Sequence, residues 1–337
     1  MNKLAITVVG GGVLGLWQAL ELARRGHTVT LREAREEPAT GAASRYAGAM
    51  LAPYCECEEA EPIVHQLGLR GLELWRQAYP GVIMSGTLVM AAGRDYGELV
   101  RFARMTEGHR QVDGREIAVL EPHLAGRFAR GLFYAEEAHL APRPALRFLV
   151  GELRRLGVDV RFGDPVPPCS LNAKAGDGVV IDCRGMAARD DLPALRGVRG
   201  EMAVVRAPEV KLSRPIRLVH PRFPLYVVPW GDGVYMAGAT MIEREDWGPV
   251  TVRSALDLLG AAYAIDPAFG EAEIIELSAG VRPAFLDNVP KAIAQGRRIF
   301  VNGAHRHGFL LAPVLAEAVA DFLATGAVQH GIVQVES

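Results

Sequence analysis

The glycine-rich turn near the start of the chain limits the possible folds more than any other feature of the sequence. Its spacing is Gly10-x-Gly12-x-x-Gly15, and it lies between an apolar run at residues 4–9 and an amphipathic segment at 13–25. The run is typical of a strand buried on both faces of a parallel sheet, and the segment is typical of a helix. A second apolar run follows at 29–33. Together these segments predict one βαβ unit.

Each glycine of this turn has a mechanical role in binding a dinucleotide. The first permits a tight turn, the second lets a pyrophosphate approach the backbone at the helix N-terminus, and the third lets the helix pack closely on the strand. Glu33 closes the second strand, where a carboxylate accepts a hydrogen bond from a ribose hydroxyl. Because the same charge repels a 2′-phosphate, Glu33 disfavours NADP and leaves NAD and FAD as the candidates.

The charge balance excludes a nucleic-acid binder that depends on bulk positive charge. The 37 Lys and Arg residues face 39 Asp and Glu residues, and half of the chain is hydrophobic, which predicts a folded protein. We expect no membrane span, because no uninterrupted apolar stretch reaches the ~18 residues that a spanning helix needs. The four cysteines have neither disulfide-scaffold nor zinc-site spacing, so we expect a reducing cytoplasm and no metal.

Beyond the first unit, hydrophobic patterns predict elements of two kinds. Residues 179–183 and 299–301 are typical of buried parallel strands. In contrast, residues 225–230 and 234–239 flank a Gly-Asp-Gly turn, which is typical of a hairpin and hence of an antiparallel sheet. The remaining predicted elements are helices at 62–79, 142–156 and 309–324 and a strand at 158–162. Parallel-sheet elements thus lie on both sides of the antiparallel part, which predicts two interleaved domains.

Four segments of the chain resemble the D-amino-acid oxidase family of FAD-dependent amine oxidases, and within it the glycine oxidases of thiamine biosynthesis. In chain order they are Ser44-Arg-Tyr-Ala-Gly-Ala-Met-Leu-Ala-Pro53 with Cys-Glu-Cys-Glu-Glu just after it, Tyr226-Val-Val-Pro229 with Gly238-Ala-Thr-Met241, Ala279-Gly-Val-Arg-Pro283, and Asn302-Gly-Ala-His-Arg-His-Gly-Phe-Leu-Leu-Ala-Pro313. The segments follow the order that the family has and span almost the whole chain. This order favours membership more than any single segment does.

The resemblance implies an α/β fold. An FAD-binding, Rossmann-like domain of the glutathione-reductase type would be interleaved with an α+β substrate domain built on an antiparallel sheet. We expect the FAD-binding domain at residues 1–78, 138–200 and 285–337, and the substrate-binding domain at 79–137 and 201–284. No cysteine lies at 282–292, near where related sarcosine oxidases tether their flavin, so FAD is expected to bind without a covalent link.

The resemblance also implies roles for individual residues. Arg282 would bind the substrate carboxylate, for which a guanidinium offers a matching fork of donors. Tyr226 would contribute a hydroxyl contact, Met241 a pocket wall, and Arg306 a position beside the flavin. The residues implied for FAD binding are Gly10, Gly12, Val13, Leu14, Gly15, Glu33, Ala34, Arg35, Ser44, Arg45, Ala49, Met50, Leu51, Val166, Gly185, His305, Arg306, His307, Gly308, Phe309 and Leu310.

Three departures from the family pattern leave the substrate open. Pro283 is followed by Ala-Phe-Leu-Asp-Asn-Val-Pro instead of Thr-Pro-Asp-Gly-Leu-Pro, His305 stands where an aromatic ring is common, and Pro224 replaces a polar pocket residue. We expect His305 and His307 to act as hydrogen-bond donors rather than metal ligands. The acidic run at 56–61 is expected to be a solvated or helix-starting patch.

The resulting functional prediction is an FAD-dependent oxidase of a small amino acid, glycine by resemblance. It would form an imine that hydrolyses to glyoxylate and ammonia or passes to thiazole synthesis in thiamine production, while O2 is reduced to H2O2. The alternatives are a dehydrogenase that passes electrons to a quinone or carrier, a non-catalytic dinucleotide-binding protein, and an NAD-linked dehydrogenase, which the C-terminal flavin-type loop disfavours. The expected partners are the amino acid and O2, without nucleic acid, and assembly into a homo-oligomer is left open.

Overall fold

The computed structural model describes residues 3–167, 170–171, 178–220, 225–329 and 331–336, so Pro224 lies outside the described part. The strands, in chain order, are β1 (Ala5–Val9), β2 (Thr28–Arg32), β3 (Met50–Leu51), β4 (Thr87–Ala91), β5 (Arg110–Asp113), β6 (Arg130–Tyr134), β7 (Ala138–His139), β8 (Asp159–Arg161), β9 (Val179–Asp182), β10 (Arg196–Arg206), β11 (Ile216–Val219), β12 (Leu225–Gly231), β13 (Val234–Gly238), β14 (Glu273–Ala284), β15 (Lys291–Gln295), β16 (Arg298–Asn302) and β17 (Val333–Glu336). The α-helices are α1 (Val13–Arg24), α2 (Pro53–Glu56), α3 (Pro62–Ala78), α4 (Tyr96–Met105), α5 (Gly114–Leu120), α6 (Pro142–Arg155), α7 (Val252–Ile265) and α8 (Gly308–Thr325).

A seven-stranded sheet forms around the glycine-rich turn, in the order β17-β15-β16-β9-β1-β2-β8. The strands β16, β9, β1, β2 and β8 are parallel, and β15 runs antiparallel to β16. Val8 of β1 and Leu31 of β2 are fully buried, as expected for a sheet with both faces covered. The predicted βαβ unit is therefore confirmed, and its glycine turn lies at the carboxyl end of β1, where doubly wound sheets bind their ligands.

Helix α8 packs in the centre of this half of the molecule, against α1 and α3. By length and composition it is able to cross a membrane, yet 61% of it is buried inside the fold. Gly71 of α3 permits the close approach, because a Cβ there would lie 1.9 Å from the carbonyl oxygen of Leu310. Pro313 has no N–H to donate to the carbonyl of Phe309 one turn earlier. The indole Nε1 of Trp75 donates to that carbonyl instead, at 2.6 Å, and fixes the first turn of α8.

The second sheet has eight strands in the order β14-β10-β13-β12-β11-β4-β6-β5, and it is antiparallel except where β11 pairs with β4. The predicted hairpin is confirmed as β12 and β13. Asp232 and the glycines on either side of it have positive φ, which a tight hairpin turn requires. The long antiparallel pair of β10 and β14 extends the sheet beyond the hairpin and is not among the predicted elements.

The fold class is confirmed, and each element predicted from the hydrophobic pattern is present with ends close to those expected. The strands of the two large sheets alternate along the chain: β1 and β2, then β4 to β6, then β8 and β9, then β10 to β14, then β15 to β17. This alternation is the arrangement that interleaved domains require, while the domain limits given above stay a prediction. The helices α2, α4, α5 and α7 are not among the predicted elements.

Candidate active site

A cavity of about 710 Å³ is lined by residues of both halves of the molecule. The predicted site residues that line it are Gly10, Gly12, Val13, Leu14, Glu33, Ala34, Arg35, Ser44, Ala49, Met50, Val166, Gly185, Tyr226, Arg282, His305, Arg306, Gly308 and Phe309. The predicted residues outside the lining are Gly15, Arg45, Leu51, Met241, His307 and Leu310. Most of the residues that sequence similarity implies are therefore brought together around one space.

The three glycines of the turn differ in what surrounds them. A Cβ at Gly15 would lie 1.8 Å from the carbonyl oxygen of Gly10, so this glycine lets α1 pack against β1. Gly10 has a φ of 105° and lies against the backbone of Cys183. A Cβ at Gly12, in contrast, would meet nothing closer than 3.6 Å and would extend into the cavity. The first and third glycines thus shape the protein, and the second leaves room for a ligand.

Side chains next to the turn complete one end of the cavity. Glu33 accepts hydrogen bonds from the backbone N–H groups of Gly11 and Arg35, which hold its carboxylate at the end of β2. Ser44 Oγ accepts from the N–H of Val13, the first residue of α1, at 3.3 Å. These contacts fix the side chains that a ribose and a pyrophosphate would meet.

The described residues fit FAD on two further observations. His305 is 8% exposed and lines the cavity, yet neither of its ring nitrogens has a hydrogen-bond partner within the described residues. A buried imidazole without a partner indicates that a bound group completes its hydrogen bonds. In addition, α8 begins at Gly308 in the cavity wall, so its free N–H groups and the positive end of its dipole face the same space. An electron-rich flavin ring is stabilised by such a field.

Arg282 of β14 lies at the other end of the cavity, and Gly200 of β10 makes room for it. A Cβ at Gly200 would lie 2.1 Å from Nη2 of Arg282. Nη1 donates to the carbonyl of Thr240 at 3.2 Å, and among the described residues no carboxylate pairs with this guanidinium. Burial lowers the pKa of Arg282 from its ordinary 12.5, but a guanidinium stays protonated at neutral pH. The cavity therefore contains a fixed cation whose donors remain available to an anion.

Tyr226 of β12 also lines this end of the cavity, against Gly48. A Cβ at Gly48 would lie 2.7 Å from the Tyr226 ring, so the small residue determines where the ring lies. Met241 does not form the expected wall. Its side chain is 49% exposed and lies outside the lining, because the chain after β13 directs Thr240 inward, onto Glu201, and the next residue outward.

Four other residues implied for FAD lie outside the cavity lining. Leu51 and Leu310 belong to the apolar core, where Leu310 packs against Gly68 of α3. His307 is 2% exposed and precedes α8. Arg45 lies in a short 3-10 turn, outside the lining. The neighbouring residues of the same motifs line the cavity, whereas these four side chains do not.

The prediction of a solvated or helix-starting acidic patch holds for Glu59 and Glu61, which are exposed, and for Glu61 at the start of α3, but it is wrong for Glu56 and Glu58. Glu56, at the end of α2, lines the cavity and pairs with Arg306 at 3.1 Å, while Glu59 pairs with the same guanidinium at 2.7 Å. His307 Nδ1 lies 3.1 Å from Glu56 as well. Burial opposes the charge of Glu56, but Arg306 and His307 outweigh it and hold the pKa of this carboxyl well below its ordinary value. Glu56 is therefore ionised and committed to Arg306.

A second ion pair of the same segment involves Arg217, which the sequence analysis missed. Glu58 is 7% exposed and accepts from Arg217 of β11 at 2.6 Å and from Arg101 of α4 at 2.7 Å. Arg217 is 4% exposed, lies over the Phe102 ring and lines the cavity. Its strand has an ordinary apolar pattern, so no local signal marks this arginine as a site residue.

His305 is neutral at physiological pH. Burial lowers its pKa to about 3, and the neighbouring His307, Arg282 and Arg306 add to this effect. A neutral imidazole has one N–H donor and one acceptor. His305 is thus able to hydrogen-bond a polar group in the cavity without adding a charge, and the pH dependence of activity above pH 5 will not report on it.

A buried carboxyl group, Glu137, anchors α2 at the residue before Glu56. Its Oε1 accepts from the N–H of Cys55 in α2 at 2.7 Å, and Oε2 has no partner in the described part of the chain. Burial raises the pKa of Glu137 from 4.5 to about 7. The fold therefore favours the protonated form of this group, and its contribution to stability is lost as the pH rises from about 4.5 through 7.

We expect Glu137→Gln to remove this pH dependence, because an amide keeps the acceptor for Cys55 and does not ionise. Relative to the unchanged protein, the variant should gain about 2 kcal/mol of unfolding free energy between pH 5 and pH 8. Urea unfolding at both pH values, at equal FAD saturation, measures the difference. Glu136→Gln changes the exposed neighbouring residue and is the control. An identical pH slope in the unchanged protein and the Glu137→Gln variant would contradict this assignment.

Comparison with known proteins adds an independent line of evidence. The sequence profile of the family described as DAO, FAD dependent oxidoreductase, matches residues 5–322. An oxidoreductase of Rhizobium etli named for thiamine biosynthesis, ThiO, is 50% identical over 323 residues, which cover 96% of this chain and 97% of that protein. The glycine oxidase of Geobacillus kaustophilus is 26% identical over 359 residues, or 96% and 93% of the two chains. The crystal structure of a glycine oxidase from Bacillus cereus has the same fold, with a TM-score of 0.81, 23% identity and 97% of each chain covered.

Proposed function

Because this chain belongs to the DAO family of FAD-dependent oxidoreductases, we propose that it oxidises a small amino acid, with glycine as the first candidate, to the corresponding imine. Water hydrolyses the imine to the oxo acid and ammonia, unless it is consumed in thiazole synthesis, and O2 takes up the electrons as H2O2. The observation that carries the proposal is Arg282, a cavity guanidinium without a carboxylate partner among the described residues. The relatives named for glycine oxidation and thiamine biosynthesis support glycine as the substrate.

The residues that the family resemblance implies for FAD are supported by their positions in the cavity lining. The glycine turn and the N-terminus of α1 would bind the pyrophosphate, Glu33 the ribose, and Val166 the adenine. His305 and the first turn of α8 would lie against the flavin ring. When bound, FAD supplies the two-electron acceptor that takes a hydride from the α-carbon of the amine.

The protein itself binds and orients the substrate. Arg282 fixes one end of the amino acid through two parallel hydrogen bonds to the carboxylate, and the Tyr226 hydroxyl is available to a third. Held at these points, the α-carbon has little freedom, which is the main contribution that a protein makes to a hydride transfer. This role does not require a metal or a protein nucleophile. We further propose that the enzyme acts in the cytoplasm, in keeping with the free thiols of Cys55, Cys57 and Cys183.

Anaerobic reduction of the bound flavin tests the proposal directly. The purified protein should be yellow, and glycine, sarcosine, D-alanine or D-proline should bleach it at rates that rank the substrates. Admission of air should then restore the colour and release one H2O2 for each amine oxidised. A yellow protein that none of the four amines bleaches would refute the proposed oxidation. Bleaching followed by fast dye reduction and little H2O2 would instead establish a dehydrogenase.

A further inference from the structure

The arginines at the substrate end of the cavity differ in their ion-pair partners. Three guanidinium groups line this region, those of Arg217, Arg282 and Arg306. Two of them are bound to glutamates of the segment from Glu56 to Glu59, which we call the acidic segment. Three carboxylates of the acidic segment, those of Glu56, Glu58 and Glu59, are thus committed to two of the three arginines.

Arg282 differs from the other two arginines because it receives no carboxylate from the acidic segment. Arg306 is held by Glu56 at 3.1 Å and by Glu59 at 2.7 Å, and Arg217 by Glu58 at 2.6 Å. A guanidinium that is already bound to a carboxylate offers few donors to a second anion. Breaking such a partly buried pair leaves an uncompensated charge, which attracts any anion that reaches it.

We propose that Glu56 determines the charge selectivity of the substrate pocket. By holding Arg306 it leaves Arg282 as the one of the three arginines at the substrate end that has no carboxylate partner in the described structure, so that amino acids with one carboxylate are accepted and those with a second carboxylate are rejected. This inference rests on the proposed function and makes it more specific. Glu56 is the member of the acidic segment that carries the selectivity, because it both lines the cavity and contacts Arg306, whereas Glu59 binds the outer side of Arg306 and its side chain is 44% exposed.

The test compares two amines that differ by one carboxylate. Sarcosine and iminodiacetate are both secondary amines. Sarcosine carries a methyl group and one acetate group on its nitrogen, and iminodiacetate carries a second acetate group in place of the methyl group. In Glu56→Gln, Nη1 of Arg306 keeps Glu59, while Nε and Nη2 lose the carboxylate of Glu56 and become available to a second anion. We expect the ratio of kcat/KM for iminodiacetate to that for sarcosine to rise at least tenfold over the unchanged enzyme. Glu56→Asp keeps the charge and should return the ratio toward its original value.

Binding measured without turnover gives a second readout. Acetate and malonate do not carry an amine, and their binding is followed by the change that they cause in the visible spectrum of the bound flavin. The ratio of the acetate Kd to the malonate Kd should rise at least tenfold in Glu56→Gln. This readout remains valid if no amine reduces the flavin, so a failure of the proposed oxidation and a failure of the charge selectivity are separable.

Three further variants provide a control, a test of the dependence on Arg306 and an alternative to Glu56→Gln. Glu61→Gln removes a charge from an exposed residue that precedes α3 and makes no ion pair in the described structure, so both ratios should stay unchanged. Adding Arg306→Met to Glu56→Gln should abolish the gain. If Glu56→Gln does not fold, Glu59→Gln should shift both ratios in the same direction by a smaller factor. Unchanged ratios in a folded Glu56→Gln protein, or an equal shift in Glu61→Gln, would overturn the proposal.

Discussion

The Arg282→Met variant should retain yellow FAD and lose about 10³-fold in kcat/KM for glycine. Removing the partner of a desolvated carboxylate costs about 3 to 5 kcal/mol. This cost gives the expected loss, because a tenfold change in rate corresponds to about 1.4 kcal/mol. The same change should not destabilise the protein without substrate. Arg282 has no carboxylate partner in the described structure, so its removal relieves the cost of burying an unpaired charge.

The combined outcome distinguishes a binding role from a structural one. Steady-state kinetics gives kcat/KM, the flavin spectrum gives FAD content, and thermal unfolding gives stability. Gly200→Ala provides an independent test at a residue with no functional group, because its new Cβ would lie 2.1 Å from Nη2 and displace the guanidinium. We expect a loss of about ten- to a hundredfold from misplacement alone. Gly260→Ala on α7, where a Cβ meets nothing within 4 Å, is the control. An unchanged kcat/KM for glycine in Arg282→Met would refute the assigned role.

Alanine at Gly15 and alanine at Gly12 should fail in different ways. A Cβ at Gly15 would contact the backbone oxygen of Gly10 at 1.8 Å, and backbone is not free to move aside. We expect Gly15→Ala to lose at least about 3 kcal/mol of unfolding free energy, at the upper end of overpacking effects, together with FAD. Gly12 has φ −73° and ψ 178°, which any residue adopts, and its Cβ would extend into the cavity.

Gly12→Ala should therefore fold with an unfolding free energy close to that of the unchanged apoprotein. Its FAD affinity should fall at least about a hundredfold, because the methyl group occupies the space of the pyrophosphate. FAD titration and urea unfolding of the apoproteins separate the two results. Gly151→Ala, on the exposed face of α6 with nothing within 4 Å, is the matched control and should be stabilising by about 0.5 to 1 kcal/mol. Equal destabilisation by alanine at 12 and at 15 would contradict the division of roles.

The elements that sequence patterns predict are those in which one physical requirement dominates. β1, β9 and β16 are short apolar strands, and their burial on both faces is visible in composition alone. β10 was missed because its fully buried centre contains Arg199 and Glu201, which pair with each other at 2.7 Å and interrupt the apolar run. β14 combines adjacent isoleucines with Gly280 and Pro283, so it has neither alternation nor strand composition.

The cofactor end of the cavity was more predictable than the substrate end for a related reason. The glycine turn performs its role through local backbone geometry, so the six residues from Gly10 to Gly15 are sufficient to predict it. The acidic segment obtains its role from Arg306 and Arg217, which lie more than a hundred residues away in the sequence. A run of glutamates read alone predicts solvation, and only the tertiary contacts show that Glu56 and Glu58 are buried partners of cavity arginines.

The alternation of the two sheets along the chain has a consequence for biosynthesis. On the ribosome, β1 and β2 emerge well before the strands that complete their sheet, because β9 begins only at Val179 and β16 at Arg298. The synthesis of the parallel sheet is thus interrupted twice by strands of the second sheet. Neither half of the molecule is a contiguous stretch of the chain, so excision of a single segment does not isolate either sheet with all of its strands.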